Sequence, residues 1–353
     1  MIAVVLVGGE GTRLRPLTLD EPKPVLPIGG VPFVSLLLDR LAAAGVTRTI
    51  LSCGYLPDRL RAGIGEPPAG MTVEVVVEDE PLGTAGAIRF AAAGRVDGPF
   101  LALNGDVLGD ADFGALVAAH RERGALAAIG LTPVDDPTRF GVVVHTDDGT
   151  VERFVEKPPN ADGLGPGPWW VNAGAYVLDP SVLEMVPTDR MVSIEREVFP
   201  DLVGRGLICV RSDGYWRDIG TLESFLTANA DAVAGRVRTR LGDAPPVDPS
   251  ARVSPTAVLV PPVLVAAGAV IGDGAEVGPD AVIGSGAEVA AGATVRASVL
   301  LADARVAAQA TVERSAIGRG ALVGERAHVV DSALGTDQAA GAGEELAGAR
   351  RPA

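Results

Sequence analysis

Lysine is nearly absent from this 353-residue chain: of thirty basic residues only Lys23 and Lys157 are lysines, and the rest are arginines. The chain is also poor in cysteine (two), histidine (three) and aromatics (4 %). Each scarcity excludes something. Cys53 and Cys209 lie far apart in apolar surroundings, and His120, His145 and His328 are scattered without ligand spacing, so neither a disulfide framework nor a zinc site is expected. The longest apolar stretches, such as MIAVVLV and ALVAA, fall far short of the roughly 20 residues that span a bilayer, and nothing reads as a signal peptide. A cytoplasmic protein with no membrane partner is the expectation. A net charge of −15 lacks the basic footprint that a nucleic-acid backbone requires, so no nucleic-acid partner is expected either. Any polyanionic ligand must meet a local positive patch.

Such a patch is there. Met1 to Val7 reads as a continuous apolar, β-branched strand of the kind buried on both faces, and it runs directly into GGEGTRLRP. Glycines let a backbone approach phosphate closely, and consecutive N–H groups in such a loop can hold an anion. The loop is neither GxxxxGK[ST] nor GxGxxG, and the glycines alone would be satisfied as a tight turn. Arg13, Arg15 and Lys23 within eleven positions of an acidic chain favour an anion site.

Downstream, strands and helices alternate. VSLLLDRLAAAG and PDRLRAGIG read as helices, TRTILSCG and TVEVVVED as strands, and AIRFAAAG as a helix after the turn EPLGTAG. This is the pattern of a layered α/β domain. PFLALNGD ends a strand at Asp106, where a carboxylate can hold a magnesium ion on nucleotide phosphates, although NGD is also good turn chemistry. TRFGVVVHTDDGTVERFVEKPP reads as a hairpin turned at Asp147-Asp148-Gly149 that delivers Glu156 and Lys157. WWVNAGAYVLDP is a further strand, and GYWRDIG sets Asp218 before a helix that it could merely cap.

The ordered set GGEGTRLRPLT, EPKPVLP, EDEPLGTAG, NGD, RFGVVV, FVEKP, NAGAYVL, SIEREVFP and GYWRDIG resembles the sugar-phosphate nucleotidyltransferases over residues 1–235. Within that family it is most similar to members that join GTP and mannose 1-phosphate. The resemblance implies a Rossmann-like domain with a mixed central sheet, and in-line attack of a sugar 1-phosphate on the α-phosphorus of a nucleoside triphosphate, with Mg²⁺ and no covalent intermediate. It implies that Leu6, Gly8, Gly9, Gly11, Thr12, Pro81, Gly83 and Thr84 line the nucleotide, that Arg13 meets the leaving pyrophosphate, and that Lys23 meets the triphosphate around the reacting phosphorus. It implies that Gly141, Glu156, Lys157 and Asn172 hold the sugar phosphate, and that Asp106 and Asp218 hold the metal. Pyrimidine-using members commonly place a glutamine where this chain has Glu78-Asp79-Glu80. A carboxylate only accepts, which suits the adjacent N1–H and N2–H of guanine, so Glu78, or secondarily Glu80, is the expected base reader.

From Val265 the grammar changes. Apolar residues recur every sixth position at Val265, Ile271, Val277, Ile283, Val289 and Val295, separated by Gly/Ala-rich turns; the phase slips to Val306 and Val312 and again to Ile317 and Val323. A hexapeptide period predicts a parallel β-helix, and no helix tolerates this glycine density. The family resemblance makes the coil left-handed and implies a homo-oligomer built through it or the catalytic domain. The expected organisation is a catalytic domain over 1–235, a linker over 236–250, the β-helix over 251–335 and a frayed tail over 336–353. Other readings stand beside the main one: a glucose-1-phosphate thymidylyl- or uridylyltransferase, a bifunctional enzyme with an acyltransferase coil, or a noncatalytic subunit of the same fold. The lone His328 in or near the coil is thin support for acyl transfer.

Lysine scarcity itself carries information. If arginine serves wherever it can, the two survivors mark positions where a compact ammonium is needed. Both precede proline, which biases the residue before it toward extended backbone.

Overall fold

The computed structural model describes residues 1–237 and 245–352, so part of the expected 236–250 linker lies outside the described residues. The chain forms two compact units that interleave in sequence: residues 1–9 with 37–216, and 10–36 with 217–353. Segment 10–36, expected inside the catalytic domain, is therefore grouped with the C-terminal residues.

The first unit is built on a mixed nine-stranded sheet. Its main path runs Val151–Glu156, Gly141–His145, Trp169–Leu178, Phe100–Asn104, Ile2–Leu6, Arg48–Cys53 and Thr72–Val77, while Ala127–Val134 joins Trp169–Leu178 to Leu207–Arg211. The strands Phe100–Asn104, Ile2–Leu6, Arg48–Cys53 and Thr72–Val77 are parallel to one another, with Leu6 opposite both Ser52 and Asn104. Their carboxyl ends consequently lie along one edge. Val4, Ile50, Ala102, Ile129 and Tyr176 are fully buried in one apolar cluster, which explains why the central strand Ile2–Leu6 reads as an unbroken apolar run. The helix expected from Ala87 begins earlier, at Gly83, and ends at Ala92. Its first N–H groups are satisfied from outside the helix: the Ala85 amide donates to the Val192 carbonyl at 2.9 Å. Cys53 and Cys209 are free and buried, and burial pushes the Cys209 thiol up to about 12, so both are packing residues.

The second unit carries the coil. Three parallel sheets of six strands each alternate along the sequence, the arrangement expected of a left-handed β-helix. Every residue of the hexad list is buried, and Val265, Val277, Ile283, Val295, Val312, Ile317 and Val323 are fully so. Stacking of like on like fills the interior, each aliphatic side chain contributing about 1.5–3 kcal/mol on removal from water.

The phase slips have a structural cause. Early turns advance 18 residues, as where the Gly268 amide donates to the Ser250 hydroxyl; later turns advance 17, because one corner loses a residue. At that corner a left-handed residue (Ala297, Arg314 or Asp331) precedes a serine. The serines form a buried ladder: the Ser315 amide donates to Ser298 Oγ and the Ser332 amide to Ser315 Oγ, each at 3.0 Å, and the Ala349 amide to Ser332 Oγ at 2.9 Å. Each hydroxyl donates back to a carbonyl two residues earlier. The polar groups exposed by shortening the corner are thereby satisfied.

Residues 336–352 are not a frayed tail. Ala339–Ala340 pairs with Leu322–Val323, Glu345–Ala347 with His328–Val330, and Arg350–Arg351 with Ala333–Leu334, completing another turn. The low hydrophobicity of that stretch hid the period; Ala340 and Leu346 continue the apolar stack there, and Arg351 bonds Glu344 twice, at 2.6 and 3.0 Å. No helix among the described residues is long and apolar enough to cross a membrane.

Candidate active site

In the first unit the expected residues gather at the carboxyl edge of the parallel strands, where open α/β sheets bind ligands. Leu6 ends the first strand and Gly8 and Gly9 follow it. Glu78 follows the Thr72–Val77 strand; its amide donates to the Cys53 carbonyl at 2.9 Å, and Ser52 Oγ donates to its Oε1 at 2.7 Å. A Cβ built on Gly8 would lie 3.5 Å from that same oxygen. Glu80 and Pro81 are exposed, so of the two acids it is Glu78 that is built into the edge.

Asp106 is presented by a turn that admits only glycine before it. A Cβ on Gly105 would lie 2.6 Å from Val7 Cγ1 and 2.7 Å from the Leu6 carbonyl oxygen, which accepts the Gly105 amide at 2.9 Å. Further along the edge, Gly141 stands in register with Glu156, and a Cβ at 141 would lie 2.8 Å from Glu156 Oε2. The Lys157 ammonium is 3.5 Å from Glu156 Oε1 and its side chain is 58 % exposed. Asn172 Nδ2 donates to the buried Tyr176 hydroxyl at 2.8 Å, and Asn172 Oδ1 accepts the Gly174 amide at 2.9 Å, so the side-chain amide is locked from both ends.

The Thr84 side chain is tied to the segment that follows Val192. Its hydroxyl donates to Glu195 Oε2 at 2.7 Å and accepts the Ile194 amide at 2.8 Å, while Ser193 Oγ donates to the same Glu195 oxygen at 2.7 Å. Gly83 and Thr84 thus zip the start of their helix onto the 192–195 segment. Burial raises the Glu156 carboxyl above its ordinary range, and the nearby Glu195 charge adds to the rise.

The second unit holds the cationic loop. Gly11, in the left-handed region, precedes a 3₁₀ turn over Thr12–Leu14, and its carbonyl accepts the Thr18 hydroxyl at 2.8 Å. Lys23 opens a second 3₁₀ turn, Lys23–Val25, and is only 8 % exposed. Its ammonium lies 4.0 Å from Asp218 Oδ1, and the Arg13 guanidinium lies 4.0 Å from Asp218 Oδ2. Gly220 makes room for this: a Cβ there would lie 2.6 Å from Arg13 Nη2. Two cations therefore converge on one carboxylate, with Arg13 itself 59 % exposed.

Neither lysine is extended. Lys23 is in a 3₁₀ turn because the Val25 and Leu26 amides close onto the Pro22 and Lys23 carbonyls, and Lys157 sits at φ 46° with its amide on the Phe140 carbonyl at 3.0 Å. Turn closure overrides the pre-proline bias at Lys23, and at Lys157 the left-handed backbone accompanies a cross-strand bond to Phe140.

Among the described residues no group of three or more His, Cys, Asp or Glu side chains is gathered as metal ligands. A magnesium ion does not need such a group, since it takes one or two carboxylates and completes its octahedron with phosphate oxygens and water. Asp106 and Asp218 each offer a hard carboxylate oxygen of the kind such an ion takes.

Against known families, residues 2–235 match the nucleotidyl transferase family model, and residues 259–344 match the GMPPB C-terminal domain. The chain belongs to the nucleotidyl transferase family. Among curated relatives of this nucleotidyl transferase, a mannose-1-phosphate guanylyltransferase of Mycobacterium tuberculosis is 43 % identical over 240 residues, covering 66 % of this chain and 65 % of the relative. Mannose-1-phosphate guanyltransferases of Aspergillus fumigatus and Candida albicans are 42 % and 41 % identical over 234 residues, covering 64 % of this chain and 63 % of each relative. The matched part of the nucleotidyl transferase thus spans just under two thirds of those relatives.

Two residues of consequence escaped the sequence reading. Glu195 lies inside SIEREVFP, where nothing in the spacing separates it from Glu197. Asn229 lies in the helix Leu222–Val233, yet it is almost fully buried, accepting the Gly29 amide at 2.9 Å and donating to the Pro27 carbonyl at 3.3 Å. A lone asparagine on an alanine-rich helix face was the available signal.

Proposed function

We propose that this chain transfers the guanylyl group of GTP to mannose 1-phosphate, the activity its relatives' names describe, releasing pyrophosphate. The observation that carries the reading is the near-buried Lys23 ammonium beside Asp218 and Arg13, a cationic site in a chain of net charge −15. A phosphate oxygen of the sugar 1-phosphate attacks the α-phosphorus, the bond from that phosphorus to the bridging oxygen breaks, and the electron pair leaves with pyrophosphate. Two anions must be brought together, so positioning and charge compensation do most of the catalysis.

Each residue then has a task. The Gly8-Gly9 and Gly11-Thr12 backbone cradles the nucleotide, Arg13 takes the leaving pyrophosphate with a planar fork, and Lys23 meets the oxygens of the reacting phosphorus. Asp106 and Asp218 would hold Mg²⁺, which when bound offsets the charge that accumulates on the triphosphate. Lys157 neutralises the sugar phosphate, and Glu156, Asn172 and the backbone at Gly141 receive the sugar hydroxyls. Glu78 accepts the N1–H and N2–H of guanine, with Ser52 fixing its orientation.

Glu78→Gln tests the base assignment. The amide keeps the shape and loses one acceptor, so kcat/KM for GTP is expected to fall about 10- to 100-fold, the worth of charged hydrogen bonds, while dTTP and UTP gain relative to it. Pyrophosphate release measured over the three nucleotides decides; an unchanged preference for GTP removes Glu78 from base recognition.

The acid limb of the pH profile tests Glu156. A raised carboxyl pKa means the charged form is lost early as pH falls, so the limb for kcat/KM of the sugar phosphate should lie above the ordinary glutamate value of about 4.3. Because the Glu195 charge contributes to the rise, Glu195→Gln should move the limb to lower pH, whereas titration of the sugar phosphate itself is common to both proteins. A limb that stays put in the variant shows that Glu156 does not set it.

A further inference from the structure

Within the second unit, the β-helix lies against the segment that carries Arg13 and Lys23. Arg319 Nε donates to Glu21 Oε1 at 3.1 Å, two residues before Lys23. At the next coil, a Cβ on Gly335 would lie 3.1 Å from Pro16 Cβ and 3.2 Å from Pro352 Cδ, so the coil backbone, the last strand's end and the residue after Arg15 meet there. At the other end of the segment, a Cβ on Gly30 would lie 3.3 Å from Leu264 Cδ2, and Asn229 grips Pro27 and Gly29 from the helix Leu222–Val233, which packs on the strands Val263–Val265 and Ala281–Ile283. The segment is held from the coil on both sides of its lysine.

Such support is physically needed. Residues 10–26 contain two single-turn 3₁₀ helices and three prolines, and no β-strand. Short 3₁₀ turns have poor hydrogen-bond geometry and little stability of their own, whereas catalytic cations displaced by about 1 Å can lose 10²-fold in rate. Contacts from outside the segment add to the few bonds that it makes within itself.

We propose that the β-helix is the positioning element of the nucleotide loop, with Arg319 acting through Glu21, and the coil at Gly335 acting through Pro16, to set Arg13 and Lys23. This rests on the reading that those two cations hold the triphosphate. It makes Arg319 a positioning residue some 300 positions from the loop in sequence.

A charge-swap cycle on the full chain tests it. Arg319→Glu and Glu21→Arg are each expected to raise KM for GTP about 3- to 10-fold, an exposed pair turned into a repulsion, with KM for the sugar phosphate within about twofold of the parent. The double swap should bring KM for GTP back to within about twofold of the parent. Arg296→Ala, which removes a comparable pair with Glu276 at 2.6 Å on the same coil, is the control and should change neither constant. Gly335→Val should push on Pro16 and lower kcat while the coil melts near the parent temperature. Equal changes in both KM values, an unaffected KM for GTP, or no recovery in the double swap overturns the proposal. Amide hydrogen exchange over residues 10–26 gives a readout without substrate: faster exchange in Arg319→Glu, reversed by the swap, is expected, and unchanged exchange overturns the inference. Failure of the parent reading has a different signature, namely no pyrophosphate release by the unaltered chain.

Discussion

Lys23→Arg is expected to lower kcat by about 10²-fold or more with the fold retained. Lys23 is only 8 % exposed, so a bulkier guanidinium must be accommodated inside the protein. A planar fork inserted there must displace Asp218 or the loop, and overpacking of that kind costs about 1–3 kcal/mol. Moving a cation off the developing charge removes a transition-state interaction worth about 2.7–4 kcal/mol, or 10²- to 10³-fold. Lys157→Arg should behave differently. With 58 % of its side chain exposed, Lys157 has space for the larger group, so the loss should be nearer tenfold and appear mainly in KM for the sugar phosphate. Steady-state pyrophosphate release and the melting temperature of both variants are the measurements. A near-parental kcat for Lys23→Arg would show that lysine is retained there for no catalytic reason.

The contrast between the two lysines shows what the sequence could and could not express. Their scarcity pointed to both positions, but their burial differs: Lys23 opens a 3₁₀ turn and is almost buried, whereas Lys157 follows an edge hairpin and is largely exposed. The extended backbone expected before proline failed at Lys23 because main-chain hydrogen bonds close a turn there, and at Lys157, at φ 46°, where the amide bonds Phe140 across the hairpin. The central strand Ile2–Leu6 was legible as an apolar run because burial on both faces removes any need for polar alternation. The coil was legible as hexads, yet its 17-residue turn was not, because the buried serine ladder that allows the short corner involves residues whose partners are a full turn away. The same distance problem hid the grouping of residues 10–36 with the C-terminal half: no composition shift marks Glu10 or Leu36, and only long-range contacts such as Arg319 with Glu21 define the unit. The final turn was missed because glycine, alanine and glutamate dominate it, so that small Ala340 stands where earlier turns stack valine.

The second large effect concerns Asp218. Asp218→Asn is expected to lower the rate about 10³-fold, and Asp106→Asn by a similar factor, because each would remove an anionic ligand from a metal whose charge is worth several kcal/mol in the transition state. The two variants should separate in stability. Asp218 is the carboxylate on which Lys23 and Arg13 converge, each at 4.0 Å, and Lys23 is too buried to recover full hydration when that charge is removed. Breaking a buried pair one-sidedly costs about 3–5 kcal/mol; with Asp218 26 % exposed and the contacts long, about 1–2 kcal/mol is the reasonable share here. Asp218→Asn should therefore lower the melting temperature as well as the rate, and adding Lys23→Met to it should recover stability without recovering activity. Removal of divalent cation by EDTA should abolish turnover in the parent and be reversed by magnesium, while both Asp variants should need higher magnesium for half-maximal rate. If Asp218→Asn loses stability but keeps the parent's rate and magnesium dependence, the carboxylate serves only to neutralise the two cations, and the metal must be held without it.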